Sequence, residues 1–441
     1  MRKLLFIIAT LYSICASTLS KAQKPSSQQA PLEYPDHFEN TSSLVLNGFI
    51  ETRLGNRTNS DPHEKNANMG EVRLQLEAEK EFNRFTLNLV ADLVYDPVMD
   101  SHNIDLDTGE GSIDLRQANI SFSPLDYMDM KVGRQVLTWG TGDLLFINDL
   151  FAKDWNSFLI GRDDEYLKAP TDAIKSSMFF KVVNMDLVYT PKFGPDRYID
   201  GKRNSFFDRS SNSFRGRGNP LVSEKPHDWF NNDELSLRLY RSMGIHEIAF
   251  YYYNGYWKSP AGQNEITGDA TFPELEVFGA SLRGPIGQGI GNIETGYYKS
   301  DGSAATSTLS RNSEFRFLLG YEQELATELT AAIQYYLERK LDYGEYIKSL
   351  PSEALQDEEN RHVMTLRLTK LMMQQNLKLV LFNFYSPSDK DGHLRLSTSY
   401  KMSDATKIEG GWNHFYGKEP HSFFGQLENN SNAYISIRYE F

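Results

Sequence analysis

Basic side chains occur at alternate positions in several segments whose other positions are apolar. Arg73, for example, lies between Val72 and Leu74. Guanidinium and ammonium groups form charge-assisted hydrogen bonds with carboxylates and phosphates, so a surface lined by them favours anions. Alternatively, these cations pair with glutamates on the same surface, and the pairs set the width of the space that the surface lines. The candidate residues are Arg73, Lys131, Arg134, Arg238, Arg316, Arg367, Arg395 and Arg438.

A long acidic segment, residues 136–172, is the second feature with chemical potential. Long segments without regular structure are usually functional or disordered. If this segment faces the basic surface, its carboxylates create a transverse field that orients polar solutes. The alternative is an outward-folded lid held by its aromatic residues. The candidate residues are Trp139, Asp143, Asp149, Asp163 and Asp164.

The same acidic segment offers oxygen ligands to a cation. Asp143, Asn148 and Asp149 carry the oxygens that calcium prefers. Their spacing is arbitrary, so we expect no metal site and no cofactor.

The elements that position these residues are short segments with a two-residue repeat of apolar and polar side chains, the pattern of half-exposed β-strands. The final segment has Ala433, Ile435, Ile437, Tyr439 and Phe441 on one face. A chain that ends on such a strand must pair both strand edges, as in a closed barrel. The repeat predicts an all-β fold, a transmembrane antiparallel β-barrel of about 18 strands, within a range of roughly 16 to 18.

The lengths of the connections support this fold. Joins after even-numbered strands are short, as at Phe82-Asn83 and Met243-Gly244, whereas most joins after odd-numbered strands are long, as at 54–70 and 340–359. Short turns at one end and long loops at the other are typical of outer-membrane barrels, with the turns in the periplasm. A barrel of about 16 to 18 strands encloses an aqueous channel.

The N-terminal region predicts export. Arg2 and Lys3 precede an apolar run, and small residues follow it, so residues 1–22 are expected to be a signal peptide. Residues 23–42 are rich in Pro, Ser and Gln and are predicted to be a disordered periplasmic tail. Residues 43–441 would then form the barrel. Cys15, the single cysteine, would leave with the signal peptide, which excludes disulfides from the mature chain.

Composition excludes other classes of function. Asp and Glu number 59 against 46 Lys and Arg, which argues against nucleic acid as a partner. The nine histidines lie in no nucleophile or zinc motif, so we expect no catalytic residues. The fourth long loop, 192–232, is the exception to the acidic balance. Its excess of Lys and Arg favours contact with lipopolysaccharide phosphates or attraction of anions, or it is simply a solvated surface loop.

Residues 130–135, Met-Lys-Val-Gly-Arg-Gln, run into Trp139-Gly140 and a loop containing Asn148-Asp149. This stretch resembles alginate-export-type and related poorly characterised porins of Gram-negative outer membranes. The resemblance implies a monomeric channel of about 18 strands. The relatives often have a proline and further arginines in this loop, and the departure argues against an alginate-like substrate.

We therefore predict an outer-membrane porin for diffusion or export of small polar solutes, anions included, with loop 136–172 as the constriction. The alternative is a non-conducting surface protein with a plugged barrel and a role in adhesion or assembly. Expected partners are outer-membrane lipid and lipopolysaccharide, the barrel-assembly machinery through Phe441, and the solute. A monomer and a trimer fit the sequence equally well.

Overall fold

The computed structural model describes residues 44–300, 310–351 and 354–441. The predicted signal peptide and periplasmic tail lie outside the described residues. Within the described part of the chain, no helix is long and apolar enough to cross a membrane.

Eighteen antiparallel strands form one closed sheet, which confirms the predicted fold class and strand number. Each strand pairs with its neighbours in sequence, and the first strand pairs with the last. The strands are β1 Val45–Arg57, β2 Ala67–Phe82, β3 Phe85–Tyr95, β4 Ile113–Leu125, β5 Met128–Val136, β6 Pro170–Phe179, β7 Asn184–Thr190, β8 Glu234–Met243, β9 His246–Tyr256, β10 Glu274–Ile286, β11 Gly289–Ser300, β12 Glu314–Ala326, β13 Leu329–Lys340, β14 Asn360–Met372, β15 Leu377–Ser386, β16 Asp391–Lys401, β17 Thr406–Gly417 and β18 Asn432–Glu440.

The barrel closes where β1 meets β18. The register runs from Phe49 opposite Glu440 to Arg57 opposite Asn432. Beyond the last ladder pair, Gly48 and Phe441 exchange two backbone hydrogen bonds of 2.9 and 3.0 Å. Closure leaves no unpaired edge, which is what a sheet in lipid requires, because no water is available there to satisfy backbone groups.

Alternation along each strand separates the two faces of the wall. On β1, Ile50 is 47% exposed, whereas its neighbour Glu51 is 3% exposed. The same contrast recurs around the barrel: the outward row is apolar and the inward row is largely polar. An apolar exterior suits a bilayer, and a polar interior suits water and charged groups.

The connections alternate in length as predicted, with one exception. Turns after even-numbered strands have two to four residues, as at 83–84 and 373–376, whereas most loops after odd-numbered strands are far longer. The exception is the four-residue join 387–390 between β15 and β16. The loop expected at 54–70 is shorter than predicted, because β1 continues to Arg57 and β2 begins at Ala67.

The long loops contain the remaining regular structure. Two short helices, α1 Trp155–Ile160 and α2 Tyr343–Ser349, lie in the loops after β5 and β13. Single 3₁₀ turns follow at Asp164–Leu167 and Gly425–Asn430. Small two- and three-residue strands occur in the loops after β7 and β9, at Phe206–Asp208, Ser213–Arg215, Ser223–Glu224, Gly262–Gln263 and Ala270–Thr271.

Gly48 provides a test of the closure. A Cβ atom there would lie 2.3 Å from the Gln75 carbonyl oxygen and 3.0 Å from the Phe441 ring. We expect Gly48→Val to destabilise the barrel by about 1–3 kcal/mol, as overpacking generally does. The transition from the folded to the unfolded band in heat-modifiable gel electrophoresis should therefore occur at a lower temperature. Leu46→Val, on the same face but without the clash, is the control, and equal transitions for the two variants would contradict this account of the seam.

Candidate functional site

The connection between β5 and β6, residues 137–169 and here called the inner loop, lies inside the barrel. Its helix α1 begins at a capped turn, where the Asp154 side chain accepts a 2.7 Å hydrogen bond from the Ser157 backbone N–H. The helix ends at Gly161, whose positive φ of 87° favours glycine. The chain then reverses into the acidic stretch that meets the wall.

The first half of the inner loop is held by two wall residues. Glu294 of β11 accepts backbone hydrogen bonds from Thr141 and Gly142, the second at 3.0 Å. Gln334 of β13 exchanges two 2.8 Å hydrogen bonds with the backbone of Asp143. Because both wall residues face inward, these bonds fix this part of the loop within the lumen.

Aromatic contacts hold the middle of the inner loop. Trp139 packs edge-on against Phe151 at 4.9 Å between ring centroids. Phe158 of α1 makes T-shaped contacts with Phe384 of β15 and His393 of β16. Phe158 and Phe384 belong to an apolar cluster on the inner side of the wall, so α1 docks there by excluding water as well as by hydrogen bonding.

The tightest charge cluster surrounds Asp163. Its carboxylate lies 2.6 Å from Arg53 of β1, 2.7 Å from Arg438 of β18 and 3.3 Å from Lys407 of β17. Next to it, Asp164 pairs with Arg395 at 2.8 Å. The acidic stretch of the inner loop therefore binds the wall at the seam between the first and last strands.

A second charge cluster continues along β2 and β4. Arg162 of the inner loop pairs with Glu71 at 2.5 Å. The ring of Tyr166 lies between two wall guanidinium groups, 4.3 Å from Arg73 and 4.5 Å from Arg116. Cation–π contacts of this kind strengthen when they are shielded from water, and Tyr166 is buried.

Two of the acidic residues by which the inner loop contacts the wall, Asp163 and Asp143, have opposite pKa shifts. Burial opposes the charge on Asp163, but Arg53, Arg438 and Lys407 outweigh it and lower the pKa of this carboxyl. Burial raises the pKa of Asp143, and its ion pair with Arg367 at 2.9 Å offsets this only in part. Asp143 therefore takes up a proton before Asp163 as pH falls.

Seven of the eight predicted basic residues face the lumen, and the six arginines among them each lie against a carboxylate. Their partners are Glu71 and Asp92 for Arg73, Asp186 and Glu247 for Arg238, Glu314 and Glu338 for Arg316, Asp143 for Arg367, Asp164 for Arg395, and Asp163, Glu51 and Glu165 for Arg438. This arrangement matches the alternative in which wall cations pair with acids. Their role in selectivity stays a prediction.

Lys131 and Arg134, the other two basic candidates, differ from these six. Lys131 is opposite Ser121 on the inward row and has no carboxylate at ion-pair distance within the described ranges. Arg134 is opposite Ala118 on the outward row, where it pairs with Asp172 at 3.0 Å. The prediction that Arg134 lines the pore is therefore wrong, because residues 131, 133 and 135 share the inward face and position 134 cannot.

The predicted residues of the inner loop also form two groups: four contact the wall or its aromatic residues, and one does not. Trp139, Asp143, Asp163 and Asp164 all reach the wall or its aromatic residues. Asp149 instead pairs within the loop, with Lys153 at 2.9 Å and Lys168 at 3.6 Å, and is 5% exposed. Its carboxylate therefore contributes no field across the lumen.

The oxygens considered for calcium do not converge. Asp143 pairs with Arg367, Asp149 pairs with lysines, and the Asn148 side chain donates to Glu294 at 3.2 Å. Among the residues that the structure describes, no group of three His, Cys, Asp or Glu side chains is arranged to hold a metal ion.

Sequence reasoning missed the central cation, Arg53. The predicted loop 54–70 leaves Arg53 at the end of the first strand, two residues after Glu51 of the inward row, and the candidate residues do not include it. Arg53 is the next residue of that row and carried a signal, because the two-residue repeat continues through Thr52 and Leu54. Arg162 and Glu294 carried no such signal, since their roles depend on contacts between distant segments.

The fourth long loop, residues 191–233 and here called the cover loop, is bound to other loops and strand ends. Arg197 pairs with Asp114 at 2.7 Å, Arg203 with Asp96 at 2.8 Å, and Arg209 with Asp357. Burial opposes the charge on Asp357, but Lys340 and Arg209 lower its pKa to about 2. Since most of its cations have acidic partners, the cover loop offers few free charges to lipopolysaccharide or to an entering anion.

Several solved structures share this fold. OccAB4 of Acinetobacter baumannii aligns with a TM-score of 0.55 at 9% identity, covering 91% of this chain and 100% of that one. OccD3 of Pseudomonas aeruginosa gives 0.52 at 9% identity, covering 91% and 93%. OccK5 of the same species gives 0.53 at 9% identity, covering 90% and 97%. No protein-family model and no curated protein matches the sequence.

At this level of identity, the likeness shows the fold alone: the chain shares its closed antiparallel β-barrel with these structures. It does not extend to substrates. The resemblance to alginate-export-type channels stays a prediction.

The Asp163 cluster generates a prediction about the inner loop. Asp163→Asn leaves three cations without their shared anion, and breaking a buried ion pair from one side typically costs about 3–5 kcal/mol. We expect the inner loop to detach from the seam, which should speed its cleavage by added protease in the folded barrel. Asp164→Asn is the matched control, because its carboxylate is 56% exposed and has one partner, for which the expected cost is about 0–1 kcal/mol. Equal cleavage rates for both variants and the unmodified chain would contradict this role.

Proposed function

We propose that the chain forms an outer-membrane channel for small polar solutes, with the inner loop as its constriction. The observation that carries the proposal is a closed barrel of 18 strands whose longest inward connection crosses its own lumen. A barrel of this size leaves an interior that side chains of the wall do not fill. One chain closes the barrel, so a single copy encloses a complete lumen.

The inner loop starts at the end of β5 and touches two separate parts of the wall. Asp143 reaches Arg367 on β14, whereas Asp163 reaches Arg53 on β1. A segment bound at both places narrows the passage. It leaves the short-turn end of the barrel open. Fixed charges at such a constriction orient polar solutes and hinder apolar ones.

The anionic preference expected from the wall arginines receives limited support. Each of the six inward arginines has at least one acidic partner, so the net charge that they present to a solute is small. We therefore propose that these arginines and their acidic partners set the width and the polarity of the passage. The direction of transport, uptake or export, follows from the solute gradient in a passive channel.

A second candidate function, a non-conducting surface protein, is favoured by one observation. The apolar cluster on the inner face unites Phe158 and Leu159 of α1 with Phe384, Phe415 and Leu427 of the wall and last loop. This cluster and the cover loop both lie toward the long-loop end of the barrel. A lumen blocked in this way would serve adhesion or assembly instead of transport.

Planar bilayers distinguish the two candidates. The refolded chain from residue 23 onward, shown to be folded by its heat-modifiable mobility, is expected to give stepwise single-channel currents, because an 18-strand barrel exceeds the size that side chains fill. A folded barrel that inserts into the bilayer and gives no steps would refute the channel and favour the surface protein.

Asp143 generates a prediction about pH. Because burial raises its pKa, this carboxyl becomes neutral before Asp163 on acidification and leaves Arg367 without its counter-charge. We expect the reversal potential in a KCl gradient to shift toward anion selectivity as the pH falls from neutrality, and to do so above the ordinary pKa range of an aspartate carboxyl. Asp143→Asn should show the low-pH value throughout. A variant that keeps the full pH response would contradict the assignment.

A further inference from the structure

Two lysines on neighbouring strands of the lumen are unlike the other cations of the wall. Lys131 on β5 and Lys175 on β6 are register partners in the antiparallel ladder. Side chains directly opposite each other in such a ladder have Cβ atoms about 4.5–5.5 Å apart, and like charges in that position are destabilising. Both side chains are partly exposed.

Both lysines face the lumen. Lys131 is opposite Ser121, which is opposite Thr86, whereas the outward residues beside them include Ile120 and Ile174, 41% and 37% exposed. Neither ammonium group has a carboxylate at ion-pair distance in the part of the chain that the structure describes. The six inward arginines all have one.

The acidic residues on the neighbouring inward rows form no ion pair with the lysines. Glu79 of β2 is the acid whose charge acts on Lys131, and it lies beyond ion-pair distance. Two others have partners of their own. Asp129 accepts a 2.6 Å hydrogen bond from Ser123. Asp186 accepts one of 2.7 Å from Ser177 and lies 3.8 Å from Arg238. No carboxylate of the described residues therefore contacts either ammonium group, and an anion from outside the chain can contact both.

The position of the pair relates it to the constriction. Lys175 is two residues from Ala173, the next inward residue toward the long loops. Ala173 packs with Phe151 of the inner loop and Val188 of β7 in a small apolar cluster. A solute that passes the inner loop would meet the two ammonium groups directly below it.

We propose that Lys131 and Lys175 form a binding site for a small oxyanion, a phosphate or a carboxylate, in the lumen beneath the inner loop. Two adjacent ammonium groups supply up to six donors and two positive charges, which match an anion with several oxygens. The bound anion removes the repulsion between the lysines. The inference rests on the proposed channel, since the anion must enter the lumen. It assigns anion recognition to Lys131 and Lys175 instead of the arginines, which already have acidic partners.

Binding is measured apart from conduction, so that each claim fails separately. The folded chain in detergent is dialysed to equilibrium against radiolabelled inorganic phosphate, and bound label is displaced with succinate. We expect saturable binding of phosphate. Displacement by succinate would extend the site to carboxylates, whereas phosphate bound without displacement would restrict it to phosphate.

The double variant Lys131→Gln/Lys175→Gln is expected to lower the affinity for phosphate at least about tenfold, because each charge-assisted hydrogen bond that is lost weakens binding substantially. The matched control is Lys80→Gln/Lys370→Gln, which removes two ammonium groups from the outward rows of β2 and β14. Its affinity should equal that of the unmodified chain.

Two results would overturn the site: no saturable phosphate binding by the unmodified chain, or equal binding by the Lys131→Gln/Lys175→Gln variant. Heat-modifiable mobility verifies folding in every sample. If a barrel that carries no current binds phosphate, the proposed channel is refuted and the proposed binding site is supported. If the barrel carries current but binds no phosphate, the binding site is refuted and the channel is supported.

Discussion

Pairing of the first strand with the last is the constraint on which the rest of the structure depends. Without it, the edges of β1 and β18 would expose backbone groups to lipid, where no water satisfies them. Closure also fixes the register of the sheet, and the register decides which residue of each pair faces inward. The Asp163 cluster exists because closure brings Arg53 of β1 and Arg438 of β18 side by side.

Charge pairing is the second level of organisation. A barrel interior that carries this many guanidinium groups requires counter-charges, because an unpaired buried charge is expensive. The wall supplies some of them, such as Glu314 and Glu338, and the inner loop supplies Asp143, Asp163 and Asp164. The same interactions that neutralise the wall therefore position the loop across the lumen. Lys131 and Lys175 stand out because this rule does not extend to them.

Much of the fold could be predicted from the sequence, since strand number, wall faces and loop lengths follow from a two-residue repeat and its interruptions. The error at Arg134 was avoidable, because the same repeat places this residue outward beside Val132. The partners of the arginines were beyond sequence reasoning. Arg53 and Asp163 are 110 residues apart, and their contact depends on the path of the inner loop through space. No local pattern encodes that path.

The central claim is that the inner loop crosses the lumen and sets its width. Replacement of residues 141–166 by a short Gly-Ser linker, followed by measurement of single-channel conductance, tests it most directly. The strands and the closing seam remain intact in this variant, and heat-modifiable mobility verifies its folding. The account predicts a conductance several-fold larger than that of the unmodified chain, because the segment that narrows the passage is gone. An unchanged conductance in a folded barrel would contradict it.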